Sequence, residues 1–435
     1  MQGVLTRERQ LRDYSGLVSE EILSEIEGLA EGLRGLRVIH VNATPRGGGV
    51  AEILDSLVPL CRSVGIDTKW YVIPQDESFV AISKSLHHSL QGHPGHLTGE
   101  HMEIYLKHNQ KAAVELKSKC VTADVWVMHD PQVLPLVNFL PPTNRAVWNC
   151  HIDTTEPNGF VRDILMPFMN RYDRAIFTLE QYVLEGLSHD KVCIFAPAID
   201  PLSPKNASLP TAAAKQILGE LGIDPTRPLV TQVSRFDRWK DPWGVIDAYR
   251  MVRRNIPDLQ LALVGVLAAQ DDPDARDVLR SVQDYAGDDP DIRIFSDPNI
   301  VADQEVNAFQ TASNVVLQKS IREGFGLTVA EAMWKGTPVV GGDCGGIRLQ
   351  IRDGETGFLV GNPEDCAARI ITLLRDPDLA KRMGQAGRES VKHNFLTPRL
   401  LRDHLSLYAS LLAEESHVRA KTLVHGEEKL AVAAS

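Results

Sequence analysis

The chain lacks paired cysteines. Cys61, Cys120, Cys150, Cys193, Cys344 and Cys366 are dispersed, with no C-x-x-C spacing, so neither a zinc signature nor a disulfide framework is written into it. Long apolar runs are missing as well. None reaches the roughly 18 residues of a membrane span, and residues 1–10 have no apolar core of the kind a secretory leader needs. A cytoplasmic setting with no membrane partner is therefore expected. Positive charge is in deficit: 46 Lys and Arg against 57 Asp and Glu leave a net charge of −11. General nucleic-acid binding has no counterion-release term to draw on at that balance, so no nucleic-acid partner is expected. Short-period repeats and low-complexity tracts are absent too.

What is present is a globular composition, 43% hydrophobic and 24% charged, spread over 435 residues, enough for two domains of about 200 residues. Residues 5–34 read as helical, with Ile22, Ile26, Leu29 and Leu33 at helical spacing. Strand and helix patterns then alternate. Strands are expected at Arg37–Val41, Lys69–Ile73, Val125–His129, Ala146–His151, Arg174–Thr178 and Val192–Ala196, with helices at 51–64 and 100–119 between them. The proline-rich stretch Pro197–Pro210 reads as a linker. A second series follows, with strands at Leu229–Ser234, Gln260–Val264, Ile292–Ser296, Asn314–Leu317, Pro338–Gly341 and Phe358–Val360. Its helices are expected at 241–255, 274–286, 303–311 and 327–335, and closing helices at 363–375, 378–393 and 397–414. Alternation of this kind predicts an α/β fold of two doubly wound, Rossmann-like domains facing each other across a cleft. The expected division is 1–200 and 211–396, with the 397–414 helix packing back on the first domain and a disordered tail over 416–435.

The most informative stretch is Glu323-Gly-Phe-Gly-Leu-Thr-Val-Ala-Glu331. Gly324 and Gly326 allow a tight turn in which backbone N–H groups approach a ligand. The helix that follows offers its N-terminus to an anionic phosphate. The second carboxylate lies about two turns on, at ~1.5 Å per residue. Either Glu alone can be a charge on a helix dipole, but the whole run has the shape of a nucleotide-sugar site, with carboxylates accepting hydrogen bonds from sugar hydroxyls on both sides of a phosphate.

Four other segments fall at strand ends, where ligands bind in such sheets. Arg235 and Lys240, in Val-Ser-Arg-Phe-Asp-Arg-Trp-Lys, are fixed cations suited to a departing diphosphate. Arg46-Gly47-Gly48-Gly49 is a glycine loop opening into a helix, fit for a phosphate or a sugar hydroxyl but equally an ordinary turn. His151 ends a strand with Asp153 two residues on, a spacing that does not by itself prove contact. Asp343-Cys-Gly-Gly-Ile347 reads either as a phosphate or sugar contact or as a strand-end turn. His129-Asp130 is a weaker candidate for the acceptor side. His87, His88, His93 and His96 match no zinc spacing and read as a solvated loop. Trp239 and Trp243 read as packing on the Arg–Lys loop. No metal site is expected, and no D-x-D motif lies at the site.

The E-x7-E run together with the Arg–Lys pair resembles the signature of retaining GT-B glycosyltransferases over about residues 35–415. Val-Asn-Ala-Thr-Pro-Arg-Gly-Gly-Gly-Val-Ala-Glu and Trp-Asn-Cys-His-Ile-Asp most resemble the trehalose glycosyltransferring synthases. The resemblance implies transfer of glucose from a nucleoside diphosphate glucose to free glucose with retention, giving the α,α-1,1 disaccharide. Arg235, Lys240, Glu323 and His151 would be the catalytic set. Glu331 would hold the ribose, the backbone at Gly324, Phe325 and Gly326 would line the hexose, and Gly48 and Gly49 would lie near the donor phosphates. Asp153 and Arg46 would serve the acceptor. Mg2+ is compatible with such a site but not required by it, and a homodimer is equally compatible. UDP, ADP and GDP are not distinguished. Trehalose phosphorylases share much of the pattern, and a different sugar acceptor or a sugar-nucleotide-binding protein without turnover is a further reading.

Overall fold

The computed structural model describes residues 1–95, 97–141, 145–265 and 273–414. The first sheet has seven strands: β1 (Gln2–Gly3), β2 (Arg37–Asn42), β3 (Asp67–Val72), β4 (Val125–His129), β5 (Arg145–Cys150), β6 (Arg174–Phe177) and β7 (Val192–Ile194). They run β1-β3-β2-β4-β5-β6-β7, all parallel except the two-residue β1, which pairs antiparallel with β3 at the edge. The second sheet holds β8 (Leu229–Val233), β9 (Gln260–Val264), β10 (Ile292–Phe295), β11 (Val315–Gln318), β12 (Val339–Gly342) and β13 (Phe358–Val360), ordered β10-β9-β8-β11-β12-β13 and parallel throughout. Strands such as β4 and β8 are buried along their whole length, as parallel strands covered by helices on both faces must be.

The helices of the first half are α1 (Glu20–Glu31), α2 (Gly49–Ser63), α3 (Glu77–Leu90), α4 (Gly99–Ser118) and α5 (Gly159–Met169). Those of the second are α6 (Thr211–Glu220), α7 (Pro242–Arg253), α8 (Pro273–Ala286), α9 (Asp303–Ala312), α10 (Leu327–Trp334), α11 (Gly345–Gln350), α12 (Pro363–Arg375) and α13 (Pro377–Asn394). Side-chain caps set several starts: the Asp241 carboxylate accepts from Gly244 N–H at 3.1 Å, and Asn362 Oδ1 accepts from Asp365 N–H at 2.7 Å, each satisfying an orphan donor.

A last helix, α14 (397–414), returns to the first half. Leu400, Leu401, Leu405 and Tyr408 share one core with Ile26, Leu57 and Leu60. Thr397 Oγ1 donates to the Ile199 carbonyl at 3.0 Å and lies 3.4 Å from Ser56 Oγ.

The N-terminal expectation needs correction. Residues 5–34 are not one helix. Leu11–Tyr14 makes a single 3-10 turn, Gly16 turns the chain at φ +78, and α1 begins only after Ser19, whose hydroxyl accepts from Ile22 N–H. Asp343–Ile347 is likewise more than a turn, since α11 starts there in spite of its two glycines. The tail from 416 and His96 lie outside the described residues.

Candidate functional site

Strand order reverses between β2 and β4 in one sheet and between β8 and β11 in the other. Loops leaving these strands diverge and open a crevice at their carboxyl ends. From the first domain come the glycine loop after β2 and the turns after β4 and β5. From the second come the Arg235–Lys240 turn and the Lys319–Gly326 segment.

The two sets of loops touch. A Cβ placed on Gly324 would lie 2.5 Å from the His151 carbonyl oxygen, and one on Gly49 would lie 3.2 Å from Leu327 Cδ1. Only glycine permits so close an approach at Gly324. The Glu323 carbonyl accepts from Tyr182 Oη at 2.9 Å and from Gly346 N–H at 3.0 Å, so both domains hold it. The N–H groups of Gly324, Phe325 and Gly326 find no acceptor among the described residues, and they stand just ahead of α10, whose N-terminus adds its positive dipole end. The side chain of Phe325 points away, packing edge-on against Phe395 in the core.

Glu323 is the centre of the arrangement. Lys240 Nζ reaches its Oε2 at 2.5 Å, and Gln318 Nε2 and Ser320 Oγ donate to the same oxygen at 3.3 Å each. All of these bonds fall on one oxygen, which fixes the carboxylate and leaves Oε1 without a protein donor among the described residues. Arg235 stands apart. It is 62% exposed, pairs with Asp237 at 3.6 Å, and touches neither Lys240 nor Glu323 through any ion pair or hydrogen bond among the described residues.

Glu331 is buried in α10. Gln310 Nε2 donates to its Oε2 at 2.8 Å, and Lys205 Nζ lies 3.5 Å from Oε1. Lys205 also binds Glu52, in the first turn of α2, at 2.8 Å. Lys205 lies in the stretch expected to be a linker, yet it joins the second carboxylate to the helix after the glycine loop. Lys335, packed beside it on Asn206 at 2.9 Å, is pushed down to about 7 by burial.

Asp153 is buried. Its Oδ1 accepts from Thr155 N–H at 3.0 Å and Thr155 Oγ1 at 2.6 Å, and its Oδ2 faces Arg322 Nε at 3.4 Å. Arg322 also donates to the Gln91 carbonyl and lies 5.7 Å from the Trp239 ring centroid. His93 meets the same ring edge-on at 5.1 Å. The histidines are therefore not a solvated loop: His87 and His88 lie in the last turn of α3, and His93 just beyond it abuts the second domain, where Trp239 packs across the interface. Among the described residues no group of His, Cys, Asp or Glu is placed to hold a metal ion. Arg46 is exposed beside Gly47 and Gly48, with its N–H on Thr44 Oγ1 at 3.3 Å.

His151 does not pair with Asp153. Its Nε2 lies 2.9 Å from His129 Nδ1, and His129 Nε2 lies 2.9 Å from His40 Nδ1. His404 of α14 stands beside His40, with ring centroids 6.1 Å apart. Burial first, then the neighbouring imidazoles, depresses His40 and His129 well below the ordinary value and His151 to about 3; burial, partly offset by Asp403 and reinforced by Arg399, takes His404 to about 4. They are neutral at physiological pH. The His151 N–H donates to Asp130 Oδ1 at 2.8 Å. Asp130 adopts φ 62, ψ 178, a region that side chains other than glycine's rarely enter, and burial lifts its carboxyl to about 7. Cys344, beside Glu323, is no thiolate: burial and that carboxylate push it up to about 12.

Two doubly wound domains with a carboxylate, a lysine and a helix N-terminus gathered at their shared crevice define a GT-B glycosyltransferase. The comparisons narrow the class. Residues 40–184 match the model for the N-terminal domain of trehalose synthase, and residues 214–390 match that for glycosyl transferases group 1. A trehalose synthase of Rubrobacter xylanophilus is 46% identical over 415 residues, covering 95% of this chain and 99% of that one. A trehalose phosphorylase of Pleurotus pulmonarius is 28% identical, over 88% of this chain but 58% of its own. Among solved structures, sucrose-phosphate synthase from Thermosynechococcus elongatus superposes with a TM-score of 0.69 at 20% identity, over 87% of this chain and 100% of that one, a likeness of fold. The chain belongs to the trehalose synthase family of glycosyltransferases. Among the described residues, no helix is long and apolar enough to cross a membrane.

Proposed function

We propose that the protein transfers glucose from a nucleoside diphosphate glucose to free glucose, with retention, and so forms trehalose. The observation that carries this reading is the fixed Lys240–Glu323 pair beside the unpaired N–H groups of Gly324–Gly326. A carboxylate with one oxygen turned from its protein donors suits hexose hydroxyls. A lysine and a helix N-terminus suit the phosphates of the leaving group. In this reading the C1–O bond to the diphosphate breaks, with negative charge developing near Lys240 and Arg235. The leaving phosphate oxygen takes the proton of the acceptor hydroxyl, and the acceptor oxygen bonds to C1 on the face just vacated. The step runs in reverse from trehalose and the nucleoside diphosphate.

Arg235, exposed and loosely paired, serves by moving onto the diphosphate when it binds. Glu331 holds the ribose from the far side of α10, exchanging its contact with Lys205 for the hydroxyls. Gly48 and Gly49 border the donor phosphates, and His151 contacts the donor hexose. Asp153, steadied by Arg322 and Thr155, faces the acceptor glucose with Arg46 at the rim. The positive charge comes from protein groups, so Mg2+ is not required. Cytoplasmic sugar pools are its expected supply.

The near-full-length likeness to a trehalose synthase, against coverage of 58% of a phosphorylase, supports synthesis over phosphorolysis. Purified protein is incubated with glucose and, separately, UDP-, ADP- and GDP-glucose. Trehalose together with the free nucleoside diphosphate is the expected product. Trehalose breakdown dependent on inorganic phosphate, with no nucleotide-driven synthesis, would replace this reading with phosphorolysis.

A further inference from the structure

We propose that His129 and His40 are positioning residues that lock His151 in the tautomer with its proton on Nδ1, so that the crevice meets an N–H donor to a sugar oxygen. The proposal rests on the reading of the crevice as a sugar site.

The two contacts, His40 Nδ1 to His129 Nε2 and His129 Nδ1 to His151 Nε2, join three imidazoles in one line. A neutral imidazole carries one N–H and one bare nitrogen. Every contact in the line needs one of each, so the three rings share a single polarity. Either all point their protons toward the crevice, or all point them away. The line ends at Nδ1 of His151, on the partly exposed ring, and at Nε2 of His40, on a ring with no exposure.

The buried end decides between the two. His40 Nε2 has no hydrogen-bond partner among the described residues. With protons pointing away from the crevice, that atom would be an N–H buried without an acceptor. With protons pointing toward it, the atom is only an unused lone pair. Orphaned buried N–H groups are the rarer and costlier defect. His40 Nδ1–H therefore donates to His129, His129 Nδ1–H donates to His151, and His151 Nδ1–H is left for the ligand. Asp130 fixes the same residue at its backbone through the 2.8 Å bond from the His151 N–H. A ring so held cannot turn acceptor without reversing all three. It therefore prefers a hydroxyl that accepts from His151 and donates its own proton elsewhere, and Glu323, an acceptor across the crevice, offers one such place.

The test is nitrogen-15 NMR of the histidine rings in the full chain, with His151 assigned by the signals lost in His151→Gln. The expected result at neutral pH is a protonated Nδ1 and a bare Nε2 on His151. A protonated Nε2, or a ring protonated at both nitrogens, would overturn the proposal. This readout needs no substrate, so it stands even where transfer to glucose is not found.

Kinetics add a second readout. His129→Phe removes the lock and is expected to lower kcat roughly tenfold, the loss of about one neutral hydrogen bond in the transition state, with the donor KM little changed. His129→Asn keeps an amide N–H near the Nδ1 position and should recover most of the rate together with the Nδ1–H tautomer. Equal losses in both variants, with the tautomer unchanged in each, would make His129 a packing residue and refute the assignment.

Discussion

Gly324 is one of the points where the two domains meet closely, and adding one methyl group there tests what that contact does. In Gly324→Ala the new Cβ would lie 2.5 Å from the His151 carbonyl oxygen and 3.6 Å from the Asp153 nitrogen. Carbon and oxygen in favourable contact stand about 3.3–3.6 Å apart, so the overlap is severe. Gly324 and His151 sit on different domains, and the clash can be relieved by parting them without unfolding either. Overpacking of this size is worth about 1–3 kcal/mol, which would disfavour the closed arrangement by a factor of about 5 to 150. The expected result is a drop in kcat/KM of that order. The thermal midpoint should stay nearly unchanged, and small-angle scattering should report a larger radius of gyration. Full activity with unchanged scattering would refute the reasoning. A large fall in the thermal midpoint would refute it too, by showing that the contact belongs to the fold and not to the closure.

Other outcomes follow from the same geometry. Lys240→Ala removes the cation held on Glu323 and should lower kcat by about 10²–10³, as loss of a preorganised charge-stabilising donor does, measured with saturating nucleotide sugar. Lys205→Met strips the ion-pair partner from the buried Glu331 and should destabilise the chain by about 3 kcal/mol in urea unfolding, a loss that adding Glu331→Gln should partly reverse. Acid should weaken the protein through its histidines. His40, His129 and His404 are held neutral in the fold, while the unfolded chain protonates them below about pH 6.5. The unfolded state then binds more protons, so stability falls as pH falls, by up to about 4 kcal/mol per pH unit for the three together. It is regained as pH rises through the unfolded value, and a flat stability between pH 7 and 5 would contradict this.

What was legible in the sequence was local. The Glu323–Glu331 run, the Arg235–Lys240 pair and the glycine loop carry their meaning within a dozen residues, and most strand positions followed from apolar runs that parallel sheets require. Helix α3 carries a readable signal in Phe79, Ile82, Leu86 and Leu90, which line its buried face, with the histidine pair in its last turn. The partners were not legible. His40 and His129 are 89 residues apart, and Tyr182 and Glu323 are 141 apart. Nothing in either neighbourhood names the other. A histidine inside the apolar strand Val38-Ile39-His40-Val41 was the available hint, since a buried imidazole needs a partner. The two-residue spacing of His151 and Asp153 leaves their contact open, and the ring instead meets His129 on the neighbouring strand.

The return of α14 to the first domain orders events during synthesis. The ribosome delivers the first 200 residues early, but Leu400, Leu401, Leu405 and Tyr408, which share a core with Ile26, Leu57 and Leu60 of that domain, emerge about 200 residues later, roughly 10–40 s at ordinary elongation rates. The second domain, a continuous segment, is complete before then. The half that appears first must finish last, and until α14 has emerged its open core is a surface in need of a chaperone.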